Sequence, residues 1–305
     1  MNYDLIYGVN EAKALVESPV INPSTYIVDT DLSLPIIRWV RWMNASQQYI
    51  QNQMIKANED YLGKMQTINI VSGTDTYAIN ADSIKLRLIE RTDTTPYTKL
   101  LPLGIVNRSL MNTVQPYNYT NWFTFWGNNL IITPTPTTSN TLYVWYIKKM
   151  CDLHLAEASS VGATSIVFPS TTTWGDIRIQ NDYYNGARLL VVSATTGAGQ
   201  IVEITDYDGV TRTATVAWDS AYGQPTGTVV YCILSEIPEQ HAQVLWVRTA
   251  ITSQIKDKDT ESNNSLLPFY NEIEKDMKSS LEERQTQESV YVKTVYNIDD
   301  NVYLI

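Results

Sequence analysis

Cysteine is nearly absent from this 305-residue chain: only Cys151 and Cys232 occur. Two are too few for a disulfide framework or a thiolate metal site, and in a reducing cytosol free thiols are expected rather than a bridge. Histidine is as scarce, with His154 and His241 alone. Neither stands at metal-ligand spacing from a cysteine or from the other histidine. Charge is thin too, at 18% of residues against a usual share of roughly 25%. No Lys/Arg run exists, and 22 basic against 32 acidic residues leave a net charge of -10. A phosphate-gripping nucleic-acid binder needs a basic face, so this balance argues against that class. No window approaches 18 continuous apolar residues, so no membrane-spanning helix is expected. The opening MNYDLIYGVNEAK has neither the basic flank nor the apolar core of a signal peptide. A soluble product of the cytosol is expected.

Catalytic signatures are missing as well. HExxH, GxxxxGK[ST] and GxSxG do not occur. Asp257, Asp259 and Glu261 match the first positions of a calcium loop, but Ser262 replaces its glycine and Pro268 its bidentate glutamate. Asp206 and Asp208 read as a solvated hairpin. The pair Gly197 and Gly199 precedes a strand, not a helix, and offers no helix N-terminus to a phosphate. Four sequons, at Asn44, Asn107, Asn118 and Asn263, read as accidents of an Asn/Thr-rich composition. No enzymatic activity, cofactor or metal site is expected.

What the chain does have is aromatic and periodic. It holds 20 Tyr and 8 Trp against 4 Phe, and a ring with a polar handle suits wet interfaces. Residues 1–30, punctuated by Pro19 and Pro23, read as an arm, extended or disordered. Ser33 and Pro35 then make a helix start. Ile36, Val40, Met43, Gln47, Ile50, Met54, Ala57 and Tyr61 follow as a helical stripe of about 28 residues, ended near Gly63. Gln47 breaks the stripe, either as a buried amide with a partner or as its edge. Residues 64–150 are runs of β-branched and aromatic residues between turn signals, which means antiparallel sheet.

Residues 152–235 hold most of the 13 glycines and read as a small all-β module, with a hairpin at Asp208-Gly209. The module's two ends both read as strand, so they are expected to lie close together, as an insertion requires. Helices return after Pro238. One carries Val244, Val247, Arg248, Ile251 and Ile255, and the next Leu266, Tyr270, Ile273, Met277 and Leu281. The expected fold class is α+β: an α-helical bundle with a long N-terminal helix and a C-terminal helical hairpin, an antiparallel sheet, and an inserted small all-β domain. Its parts are an arm (1–30), a core (31–151 and 235–288), the inserted β-domain (152–234) and a tail (289–305). The tail either docks elsewhere or packs back on the chain.

The order of these elements resembles the head-to-tail adaptors of tailed bacteriophages. The likeness lies in "TINIVSGTDTYAI", in "GNNLIITPTPTTSNTLYVWYIKK" and in the segment that opens "IPEQHAQVLWVRTAI". The carrying positions are Ile132, Pro134 and Pro136, then Ile237, Pro238, Glu239 and His241, then Met277, Leu281 and Arg284. Residues 158–234 resemble β-modules of phage structural proteins, which a plain adaptor lacks. The resemblance implies a non-enzymatic virion protein of the neck, made in the bacterial host cytoplasm. It implies a homo-oligomeric ring of twelve copies between the portal protein and a tail tube or nozzle protein. Double-stranded DNA would pass through without specific binding, and no membrane is involved. Twelve chains would carry about -120, which favours sliding over sticking, although the acidity also serves plain solubility. Trp39, Trp42, Tyr49 and Met54 are then the ring-interface candidates on the long helix. Val290, Val292, Val295, Tyr303, Leu304 and Ile305 are the portal-docking candidates on the tail. A receptor-binding fibre or baseplate protein is the alternative, read from the Gly-rich β-module.

Overall fold

Among the described residues, alternating apolar residues build three sheets beside a set of helices. The computed structural model describes residues 5–16, 36–93, 97–107, 122–172, 174–257 and 265–283. The chain divides into two units, residues 62–149 and the remainder, residues 1–61 with 150–305.

The smaller unit is two four-stranded sheets around one core. The first has strand order β1 (Gly63–Ile70), β8 (Asn140–Lys148), β3 (Ser83–Arg91), β4 (Thr98–Lys99). The second runs β2 (Thr76–Ala78), β7 (Asn129–Thr133), β6 (Trp122–Trp126), β5 (Leu101–Pro102). All pairs are antiparallel except β5 with β6. Strand period two sends Ile68, Ile70, Ile89, Leu142 and Val144 inward from one sheet to meet Leu130 and Ile132 from the other. The buried Asp82 accepts from Lys64 and from the Tyr146 hydroxyl, which fixes the turn before β3.

The larger unit joins a helical layer to a seven-stranded antiparallel sheet. The sheet order is β10 (Ser160–Val161), β11 (Ser165–Val167), β14 (Thr213–Val216), β13 (Ile201–Asp208), β12 (Arg188–Ser193), β15 (Val230–Ile233), β9 (Leu155–Glu157). Ile166 near one edge and Ala156 at the other share a single buried cluster with Phe168, Tyr184, Tyr207 and Tyr231, so the sheet curls around its own core. The β13–β14 hairpin falls where Asp208-Gly209 predicts it. The Asp208 carboxylate accepts from the Val210 amide and the Thr211 hydroxyl inside that turn. Those bonds hold its pKa below the usual carboxylate range. Cys151 and Cys232 are both buried free thiols.

The helices are α1 (Leu5–Ala14), α2 (Ile36–Ala57), α3 (Ala242–Asp257) and α4 over residues 265–283. The first three pack on one another. Gly8 of α1 admits the Trp246 indole, because a Cβ there would stand 2.8 Å from its ring nitrogen.

This architecture corrects the expected fold class. Among the described residues the protein is mostly β, with three sheets, and it is not a helical bundle with a long N-terminal helix. The helix expected to run about 28 residues covers the 22 of α2. It stops because Asn58 turns its side chain back to accept from the Asp60 amide, a local bond that competes with helical continuation. Residues 5–14, expected to be part of an arm, are helical. Their signal was the spacing of Leu5, Ile6, Val9 and Ala12, all buried. Ile255, expected on the buried stripe of α3, is exposed, and Leu245 is buried instead. A stripe specifies which face is covered but not by what.

Candidate interaction surfaces

The large side chains of α2 divide by burial. Trp39 and Met54 are fully buried in the larger unit, whereas Trp42 is half-buried and Tyr49 is 36% exposed. Trp39 packs edge-on against Trp42 at 5.3 Å, and the Lys13 ammonium lies 5.7 Å over its ring. Tyr49 carries the Arg248 guanidinium at 4.1 Å, and Tyr270 of α4 flanks the same cation at 5.4 Å. The tail candidates Val290, Val292, Val295, Tyr303, Leu304 and Ile305 lie outside the described residues, as do Ser33, Pro35 and Arg284.

The polar break in the α2 stripe is one rung of a ladder. Gln47 donates to the Cys151 carbonyl at 2.8 Å and accepts from the Ser235 hydroxyl at 2.7 Å. Asn44 reads both backbone groups of Leu153, accepting from its amide at 2.7 Å and donating to its carbonyl at 3.1 Å. Gln51 accepts from the Met150 amide at 3.3 Å. Three amides on one helix face therefore hold the chain where it enters the curled sheet, and Gln47 holds its exit too. Single-residue periodicity could not find Asn44 and Gln51, because both look like ordinary polar-face residues.

Both histidines have structural work. His154 is sealed among Phe168, Tyr184 and Tyr231, with its ring nitrogens 3.1 Å from the Tyr231 hydroxyl and 3.4 Å from that of Tyr184. Burial pushes its pKa down to about 4, and burial likewise raises the two tyrosines. His241 contacts the Ser280 hydroxyl at 2.9 Å and ties the turn before α3 to α4. Partial burial lowers its pKa. The buried Asp152 is held by Arg178, whose backbone carbonyl accepts from Tyr207 at 2.6 Å. A cavity of about 40 Å³ between α1, α3 and the end of β15 is lined chiefly by Leu5, Gly8, Met43, Leu245 and Trp246. It has room for little more than a water molecule or two.

The smaller unit exposes Tyr97, Phe125, Trp126 and Trp145. On the outer face of its first sheet, Met65, Trp145 and Leu88 lie in one cross-strand row. Met65 is 41% and Trp145 40% exposed. The Trp145 indole donates to Glu90 at 3.0 Å, and Tyr97 packs edge-on against Tyr143 at 5.8 Å. The signal was present in "LYVWYI", where Tyr143 and Trp145 alternate with the inward Leu142, Val144 and Tyr146.

His154 and Asp152 are held by packing, while Trp145, Trp126 and Phe125 stand exposed. The family model of the SU10 adaptor protein matches residues 20–224, two thirds of the chain. The chain belongs to that family, and is thus a bacteriophage structural protein of adaptor type and a virion component. No curated protein matches it. The match reaches through most of the curled sheet, while residues 235–288, which carried part of the sequence resemblance, lie beyond its end.

Proposed function

We propose that this protein is the head-to-tail adaptor of a tailed bacteriophage. Copies close into a ring of about twelve between the portal and the tail, and double-stranded DNA passes through the channel unread. Family membership over residues 20–224 is the observation that carries this reading. The net charge of -10 suits a channel that must not grip phosphates. In this reading residues 31–151 and 235–288 form the adaptor core, 152–234 an inserted β-domain, and 289–305 the segment that reaches the portal. Of the four α2 candidates, Trp42 and Tyr49 have surface left to offer a neighbour.

The test is native mass spectrometry and negative-stain imaging of the purified chain, alone and with portal protein added. A ring that stacks coaxially on the portal is expected. A chain that stays monomeric in both conditions overturns the reading, and a trimer would favour the receptor-binding fibre instead.

A further inference from the structure

The overall charge of the chain conceals a segregation between its two units. Residues 62–149 hold eight Lys/Arg against four Asp/Glu, a surplus of basic charge. The rest of the chain holds 14 against 28. Within the basic unit, two of the four acids pair internally, Asp82 with Lys64 and Asp93 with Arg91. The Arg91 guanidinium holds the Asp93 pKa below the usual carboxylate range. A third, Glu90, accepts from the Trp145 indole.

The register places the exposed cations around the aromatic row. Lys85 is exposed and pairs with Ile147, two residues beyond Trp145, where the sheet is covered and Ile147 is buried. Lys99 pairs with Glu90, which faces Tyr143 one outward row before Trp145. Lys85, Arg87 and Lys99 are all exposed, and Arg87 stands at the bulge between Leu86 and Leu88. A centre of Trp, Met, Leu and Tyr with one carboxylate, Glu90, bonded to the Trp145 indole and a rim of exposed cations has the anatomy of a protein-binding patch. A DNA-backbone site would place its cations at the centre instead. β1 also closes one edge of this sheet with eight residues and a single charge, Lys64.

We propose that the outer face of this sheet, centred on Trp145 with Lys85 and Lys99 at its rim, docks on the acidic larger unit of a second copy of the chain. The inference rests on the assembly proposed above. Such a contact joins unlike surfaces, so it repeats around an axis instead of stopping at a dimer. Opposite charge steers the encounter, and the apolar row supplies the affinity.

Sedimentation of the full-length chain, alone and with portal added, tests this at about 50 mM and about 500 mM salt, where screening differs severalfold. Wild type is compared with Trp145→Ala and with the double variant Lys85→Glu/Lys99→Glu, and circular dichroism melts confirm folding. Trp145→Ala should weaken self-association roughly 30-fold, as loss of an interface centre does. The double variant should stay dissociated where wild type assembles, and high salt should weaken wild-type assembly. Folded variants that assemble like wild type overturn the docking face while leaving the ring intact. A wild-type chain monomeric in every condition overturns the ring as well. Binding of a short DNA duplex that the lysine variant loses, with assembly unchanged, assigns the face to phosphate and also overturns the proposal.

Discussion

His154 is the residue whose setting most changes its chemistry. A core lined by Phe168, Tyr184 and Tyr231 cannot solvate an imidazolium, so the folded protein keeps this ring neutral down to about pH 4. An unfolded chain takes up the proton near the ordinary value of 6.5. Between those values the unfolded state binds more protons, so stability falls as pH drops from about 6.5 to about 4, by up to about 3 kcal/mol. Replacing His154 with Gln should flatten that part of the profile, read as the difference in urea midpoint between variant and wild type across the window. Parallel curves would show that His154 does not govern it. The sequence carried no sign of this burial. The spacing of the two histidines argued against a metal site, but only the curled sheet closes aromatic rings from 168, 184 and 231 around position 154.

At the scale of elements, α2 does two tasks on adjoining faces. Its apolar stripe of Ile36, Val40, Met43 and Ile50 is packed away, and the stripe was legible from its spacing. Its amide ladder holds residues 150–153 and Ser235, and that was legible only as the odd polar residue Gln47. Gln47→Ala would leave the Cys151 carbonyl and the Ser235 hydroxyl without this partner in a closed setting. A loss of about 1–3 kcal/mol is expected from a chemical denaturation midpoint. The Thr249→Val change offers a contrast, since that hydroxyl only repeats a bond to the Leu245 carbonyl within α3, and it should cost about 1 kcal/mol or less. If the two variants cost the same, the ladder is not what holds the entry and exit of the curled sheet.

At the scale of the whole molecule, the chain sorts its charge between two units. The total of -10 described the chain correctly but averaged away the basic unit, because that unit's boundaries are set by contacts and not by composition. The tail belongs to this scale too. Deletion of residues 289–305 should abolish capture of the chain by immobilised portal protein while leaving its thermal melt unchanged. Undiminished capture would remove the docking role from that segment.

The sequence by itself determined the local alphabet. Period-two runs became strands, the Asp208-Gly209 pair became a hairpin turn, and the α2 stripe became a buried helix face, because each follows from backbone geometry within a few residues. The order of those elements was also enough to point to the adaptor class. Only the tertiary structure decided that the described residues form three sheets, that their helices are a layer instead of a bundle, and which aromatics face solvent. Those outcomes depend on which distant segments cover each apolar surface, and no spacing along one chain encodes that choice.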